Sequence, residues 1–229
     1  MSSSIGWVSR RRRTRLDPRA VALEMASSGG APDGTVIQGS TTTRSKVLGF
    51  SVILRPRPGS QVRILAPIAT FCASEGIRKD TGIITWIRWP DEVVAGGEVL
   101  AATSLSLGGS VDSPWAVLDF RINLGHLRQE GSTSLRDLLG VDVDPDMLLA
   151  KVIDSLWWMH SGWVKEMYPK ILPRIASMLE NAGGRVVVVD RDGVAAPGVV
   201  RGVDETGRLI VGLPGGEVRL QDRSGLLES

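Results

Sequence analysis

The sequence predicts an α+β fold, a mixed or antiparallel sheet with helices packed on it and a small all-β appendage at the end. Three observations carry this. Helical and strand segments follow one another without strict βαβ alternation. One long run with an apolar face, Met147 to Tyr168, reads as a buried helix. Beyond Gly183 the pattern changes to four short strands separated by Gly, Asp or Pro turns. The chain has 229 residues, enough for one large domain and a small one, and a boundary near Gly183 divides it into 1–183 and 184–229. With 42 % apolar and 23 % charged residues it is a globular chain, neither disordered nor fibrous.

The elements follow in order. Arg10, Arg11, Arg12, Arg13 and Arg15 stand without an acid among the first fifteen residues, which reads as a solvated strand or frayed tail. A nucleic-acid arm is the sharper alternative. The only aromatic near the run is Trp7 and the net charge of the whole chain is +2, so no nucleic-acid partner is expected. Asp17 and Pro18 mark an N-cap and a first helical position, with a short helix from Arg19 to Ala26 stopped at Gly29 and Gly30. Thr35 begins one strand, Phe50 to Leu54 alternates as a second, and a polar loop from Ser40 to Lys46 separates them.

Gln61 to Glu75 has helical spacing, in which Pro67 predicts a kink or a late start. Gly82 to Trp89 and Val93 to Leu107 read as a hairpin around Ala95-Gly96-Gly97-Glu98, and Val111 to Leu124 as one more strand region. Asp144-Pro145 opens the long helix, Pro169 and Pro173 interrupt its continuation, and Gly183-Gly184 ends it. The last strands are expected at Arg185 to Val189, Gly198 to Val203, Arg208 to Leu213 and Glu217 to Leu220, spaced as in a small barrel.

General chemical motifs are few. The single cysteine, Cys72, forms no internal disulfide, and with only His126 and His160 beside it no zinc spacing exists, so no metal site is expected. No apolar run reaches the roughly 18 to 20 residues that span a bilayer, and no secretion signal opens the chain, which makes the cytoplasm the default and a membrane partner unexpected. Gly-x-Ser-x-Gly, Gly-x-x-x-x-Gly-Lys and Gly-x-Gly-x-x-Gly are all missing. His160 reads as a packed imidazole, His126 as a loop residue without a role, and Cys72 as a small core residue. One segment is harder to call structural: Trp86 to Val94 ends a strand in the cation Arg88, followed by Trp89-Pro90 and the carboxylates Asp91 and Glu92.

That segment, RWPDE with EVLAA one short turn later, resembles the Lys-Trp-Pro-Asn-Asp and Lys-Ile-Ala-Gly segments of biotin protein ligases in ungapped register. DGTVI, FSVILRP, and AVLDFRINL in the place of the family's Gly-Ile-Gly-Ile-Asn extend the similarity over nearly the whole chain. GVVRGVDETGRLIVGLPGGEVRL resembles the family's SH3-like C-terminal barrel. The resemblance implies a ligase-type catalytic domain over 1–183 and an SH3-like barrel over 184–229. The implied reaction makes biotinyl-adenylate from biotin and ATP, then passes biotin to a lysine of a carboxylase carrier domain. Biotin, ATP and Mg²⁺ are the implied small molecules and a biotin carboxyl carrier domain the implied partner; a homo-oligomer is left open.

Carried over position by position, the resemblance puts Arg88 in the place of the motif lysine, the catalytic position, with Trp89, Asp91 and Glu92 as substrate contacts. Asp91 and Glu92 add a carboxylate where phosphate would sit, which repels it unless a divalent cation bridges them. The second family lysine falls on Val99, the glycine that closes its motif on Ala102, and two sheet glycines on Asp119 and Arg121, while Asn123 is retained. QGSTTTRSKVLG replaces the family's Gly-Arg-Gly-Arg-x-Gly, leaving Arg44 and Lys46 as phosphate contacts; Leu16-Asp17-Pro18 replaces its Ser-Thr-Asn. The scaffold pattern persists while the polar motifs depart, so a ligase-like protein with weak or lost standard activity is expected. An active, divergent ligase would use Arg88, Arg44, Lys46 and Asn123 as a reduced anion cradle. A non-catalytic protein-binding module would use Trp7, Trp115 and the Trp157-Trp158 pair as anchors.

Overall fold

The computed structural model describes residues 10–41, 46–60, 62–126, 129–164, 168–189, 194–222 and 226–228. Seven strands form a mixed sheet: β1 (Arg11–Thr14), β2 (Thr35–Gly39), β3 (Val47–Leu54), β4 (Trp86–Arg88), β5 (Glu92–Ala95), β6 (Glu98–Gly109) and β7 (Pro114–Asn123). Their order is β1-β2-β3-β7-β6-β5-β4, antiparallel throughout except for the parallel pair β1 and β2. The turn from β5 to β6 falls where the sequence places it. Gly96 and Gly97 adopt φ of 62° and 84°, the left-handed pair that a two-residue hairpin requires.

Of the two readings of the basic run the strand holds, with Arg12 and Arg13 exposed. Arg11 and Arg13 lie in β1, and their guanidiniums donate to the two carboxylate oxygens of Asp146 at 3.2 and 2.7 Å.

The helices are α1 (Pro18–Ser27), α2 (Leu65–Thr81), α3 (Leu135–Leu139), α4 (Pro145–Val164) and α5 (Tyr168–Ala176). Helix α2 begins four residues later than the apolar spacing suggests. Pro67 has no N–H to give and fits only a first turn, so a 3-10 turn, Val62–Ile64, leads into the helix. Beyond α4 the prolines do not end helical structure: α5 continues through Pro173 to Ala176.

One face of the sheet carries the main core. Phe50 and Phe120 stack with ring centroids 4.6 Å apart, and Leu48, Val52, Leu118 and Ile122 are buried with Ile68 and Cys72 of α2 and Leu148 and Val152 of α4. Burial pushes the Cys72 thiol well above its ordinary pKa, as befits a packed rather than a reactive cysteine. His160 is buried on α4 with Nε2 3.8 Å from Asp33; burial lowers its pKa and Asp33 offsets part of the effect. On the opposite face α1 packs Ala22 and Ala26 onto Ile37, Ile53 and Val117. The Arg55 guanidinium holds this helix by donating to the carbonyls of Ala26 and Ala31 at 2.9 and 3.1 Å.

A second, antiparallel sheet closes the chain: β8 (Arg185–Val189), β9 (Ala195–Val203), β10 (Leu209–Leu213), β11 (Gly216–Leu220) and β12 (Leu226–Glu228), in the order β11-β10-β9-β8-β12. Its Val186, Val200, Leu209 and Val211 belong to the same apolar cluster as Phe50 and Ile68. Strand β4 is also hydrogen-bonded to the segment that leads into the second sheet, through Ile87 N–H to Met178 O at 2.7 Å and Glu180 N–H to Ile87 O at 2.8 Å. No described helix is long and apolar enough to cross a membrane.

Candidate functional site

Opposite residues of paired strands share a face, and residues two apart on one strand do as well. The register of β3, β7, β6 and β5 therefore sorts the sheet face opposite the phenylalanine stack into rows. Ser51, Asp119 and Ser104 form one row, Gly49, Arg121, Ala102 and Glu92 the next, and Val47 and Asn123 a third.

Two neighbours border these rows. Helix α1 covers Ile53 and Val117 at one end. At the other, residues 131–133 run along β6: Val99 N–H donates to Gly131 O at 2.9 Å, Thr133 N–H to Val99 O at 3.0 Å, and Asn123 Nδ2 to Val99 O and Thr133 O at 3.2 and 3.0 Å. Between them lies a polar strip in which Arg121 is exposed and Asp119, Ser104, Ala102 and Glu92 are half-buried.

The strip is electrostatically uneven. Ser51, fully buried, donates to Asp119 Oδ1 at 2.7 Å. Burial raises the pKa of Asp119, the Ser51 hydrogen bond counters it, Asp17 adds to the rise, and Arg121 and Arg19 counter it further. Among the described residues no cation lies within ion-pair distance of Asp119 and no carboxylate within ion-pair distance of Arg121. Arg19 of α1 donates to Ser106 Oγ at 3.2 Å.

Of the residues singled out in the sequence, Glu92, Ala102, Asn123, Asp119 and Arg121 meet on this strip, with Val99 beside it. Lys46 is exposed near the Asn123 end, its carbonyl accepting the N–H groups of Leu124 and Gly125 at 2.8 and 3.1 Å. Arg44 lies outside the described residues.

Arg88 and Trp89 are placed elsewhere. The Arg88 guanidinium grips Glu180 through Nε and Nη2 at 2.7 and 3.0 Å, and Nη2 also donates to Gly97 O at 2.9 Å. Glu92 stands 3.8 Å from the same guanidinium. Trp89 is 5 % exposed and donates its indole N–H to Gly207 O, in the turn between β9 and β10, at 3.1 Å. The backbone carbonyl of Asp91 accepts from Thr103 N–H at 2.8 Å. The cation at the motif position thus ties β4 to the β5–β6 turn and to the segment that leads into the second sheet.

Three polar residues of this region carry no flag in the sequence reading. Ser51 was within reach, because strand alternation places it on the face of Gly49, and Ser104 follows from the pairing of β6 with β7. Glu180 has no local signal, being 92 residues from its partner. His126, expected to be idle, engages Asp137 through Nδ1, and Asp137 also accepts from the Ser134 hydroxyl at 2.5 Å. Ser134 caps α3, so this chain of contacts fastens the segment that follows β7. Of the aromatic anchors, Trp158 is 51 % exposed with Arg174 5.1 Å above its ring, Trp157 and Trp115 are half-buried, and Trp7 lies outside the described residues.

No family model matches the sequence, and no curated protein matches it. Solved structures do. A mutant biotin protein ligase from Aquifex aeolicus in complex with biotin aligns with a TM-score of 0.78 at 17 % identity, over 96 % of this chain and 98 % of that one. A biotin protein ligase-like protein of unknown function from Silicibacter sp. gives 0.76 at 16 %, over 92 % and 93 %. A biotin acetyl coenzyme A carboxylase synthetase from Helicobacter pylori with bound biotinylated ATP gives 0.59 at 14 %, over 91 % and 98 %. The chain has the biotin protein ligase fold over nearly its whole length.

Proposed function

We propose that this is a biotin protein ligase-like protein in which the family's standard reaction, ATP-dependent formation of biotinyl-adenylate and transfer of biotin to a carrier lysine, is weak or lost. In this reading residues 1–183 are the ligase-like domain, 184–229 an SH3-like barrel, and the protein works in the cytoplasm. The observation that carries it is the strip itself. Glycines let backbone approach a nucleotide closely, whereas Asp119 and Arg121 put side chains on the floor at the positions of the family's glycines. A carboxylate there opposes an adenylate's negative charge. Val99 supplies no cation to offset charge developing on the phosphate, and Arg88 is engaged by Glu180.

An active, divergent ligase is the second reading, supported by the exposed Arg121 guanidinium near Asn123 and Lys46. Its Mg²⁺ would arrive with ATP, beside Asp91 and Glu92. Incubating the pure chain with biotin, ATP, Mg²⁺ and a biotin carboxyl carrier domain separates the two. The expected result is no biotin on the carrier above a chain-free control; a biotinylated carrier lysine overturns the first reading. The exposed Trp158 beneath Arg174 supports a third, non-catalytic role in protein binding, tested by capture of a carrier domain that Trp158→Ala abolishes.

A further inference from the structure

We propose that the strip between α1 and residues 131–133 binds a zwitterionic small molecule, an ω-amino carboxylic acid, with its ammonium on Asp119 and its carboxylate on Arg121. The proposal rests on the reading of this strip as the ligand site and adds the class of ligand.

Asp119 spends Oδ1 on the Ser51 hydroxyl, and the described residues provide no partner for Oδ2. Ser104, directly opposite in the register, offers a second hydroxyl on the same row. A half-buried carboxylate without a cation is unfavourable, and an ammonium that docks on it restores the missing partner.

Arg121 is the next residue along the same face, about 7 Å further on by strand geometry. Its exposed planar fork suits a carboxylate bidentately. Arg121 attracts Asp119 through space, but no ion pair forms between them. Glu92, in the Arg121 row, lies 3.8 Å from the Arg88 guanidinium, which offsets its negative charge. A plain carboxylic acid gains Arg121 but meets Asp119; a plain amine gains Asp119 but meets Arg121. Only a molecule bearing both groups satisfies the strip.

Three probes of matched length test this by calorimetric titration of the full chain: δ-aminovalerate, valerate and pentylamine. δ-Aminovalerate is expected to bind at least tenfold more tightly than either of the others. Asp119→Asn, which keeps the shape and a Ser51 hydrogen bond, is expected to weaken δ-aminovalerate at least tenfold without weakening valerate. Arg121→Gln is expected to weaken δ-aminovalerate to a similar degree without weakening pentylamine, and circular dichroism of both variants confirms the fold.

Valerate binding as tightly as δ-aminovalerate, affinity unaltered in both variants, or no binding of any probe overturns the proposal. The carrier-labelling assay runs alongside. Biotin transfer with probe binding intact overturns the loss-of-activity reading alone, and absence of both probe binding and transfer overturns the ligand class alone.

Discussion

Two aspartates show how the same side chain acquires opposite signs of pH dependence. Asp204, 4 % exposed, accepts from Thr206 N–H and hydroxyl at 2.8 and 2.7 Å and from Arg208 N–H and Nε at 3.0 Å each. Burial by itself would raise its pKa, but these hydrogen bonds prevail and lower it. Its folded value lies below its unfolded one, so the stability it contributes is complete above the ordinary value of 3.8 and is lost as pH falls through the folded value. Asp204→Asn is expected to lower stability by about 1–3 kcal/mol at neutral pH and to flatten the acid decline of the urea midpoint; a midpoint with the wild-type profile contradicts this. Asp119 is the reverse case. Its raised value favours the protonated form in the folded chain, so stability is greatest below the unfolded value and falls as pH rises through the folded one. Asp119→Asn is therefore expected to raise the melting temperature at neutral pH, the pattern of a residue retained for binding rather than for folding; a lower melting temperature speaks against that role.

At the scale of elements, α2 packs tightly against α4. A Cβ added at Gly76 would stand 2.5 Å from Val152 Cγ2 and 2.8 Å from both the Cα and N of Val152. Alanine in a helix is favoured over glycine by roughly 1 kcal/mol, yet here the contact is with backbone and cannot be relieved by a rotamer change. Gly76→Ala is expected to destabilise by about 1–3 kcal/mol net, measured by chemical denaturation. Val152→Ala in the same chain should rescue only part of the loss, because it removes one of the three contacts. The basic strand β1 teaches a related lesson. Composition marks Arg11 and Arg13 as solvated, and Arg13 is exposed, but it does not reveal that both pair with Asp146, 133 residues away from Arg13.

At the scale of the whole molecule, one apolar cluster runs from the phenylalanine stack through Ile87 and Leu179 into Val200 and Leu209 of the second sheet. Two sheets that share a core are expected to melt together. Far-ultraviolet circular dichroism and tryptophan fluorescence should report a single coincident transition, and two resolved transitions would show that the seam is weaker than its contacts imply. The fold class, most strands of both sheets, the β5 to β6 turn and the long buried helix were legible in the sequence, because alternation, periodicity and Gly-Gly turns are written locally; β12 was not, being three residues long and defined by its pairing with β8. So was the set of floor residues, through matched motif positions. What the sequence by itself determined is which residues could form strands and helices and which polar groups depart from the ligase pattern. Only the tertiary structure decided that Arg88 closes on Glu180, that Trp89 is buried against Gly207, and that Ser51, Asp119 and Ser104 stand in one row. Those outcomes depend on strand register and on long-range pairing, and no local pattern encodes the partner of a side chain that lies ninety residues away.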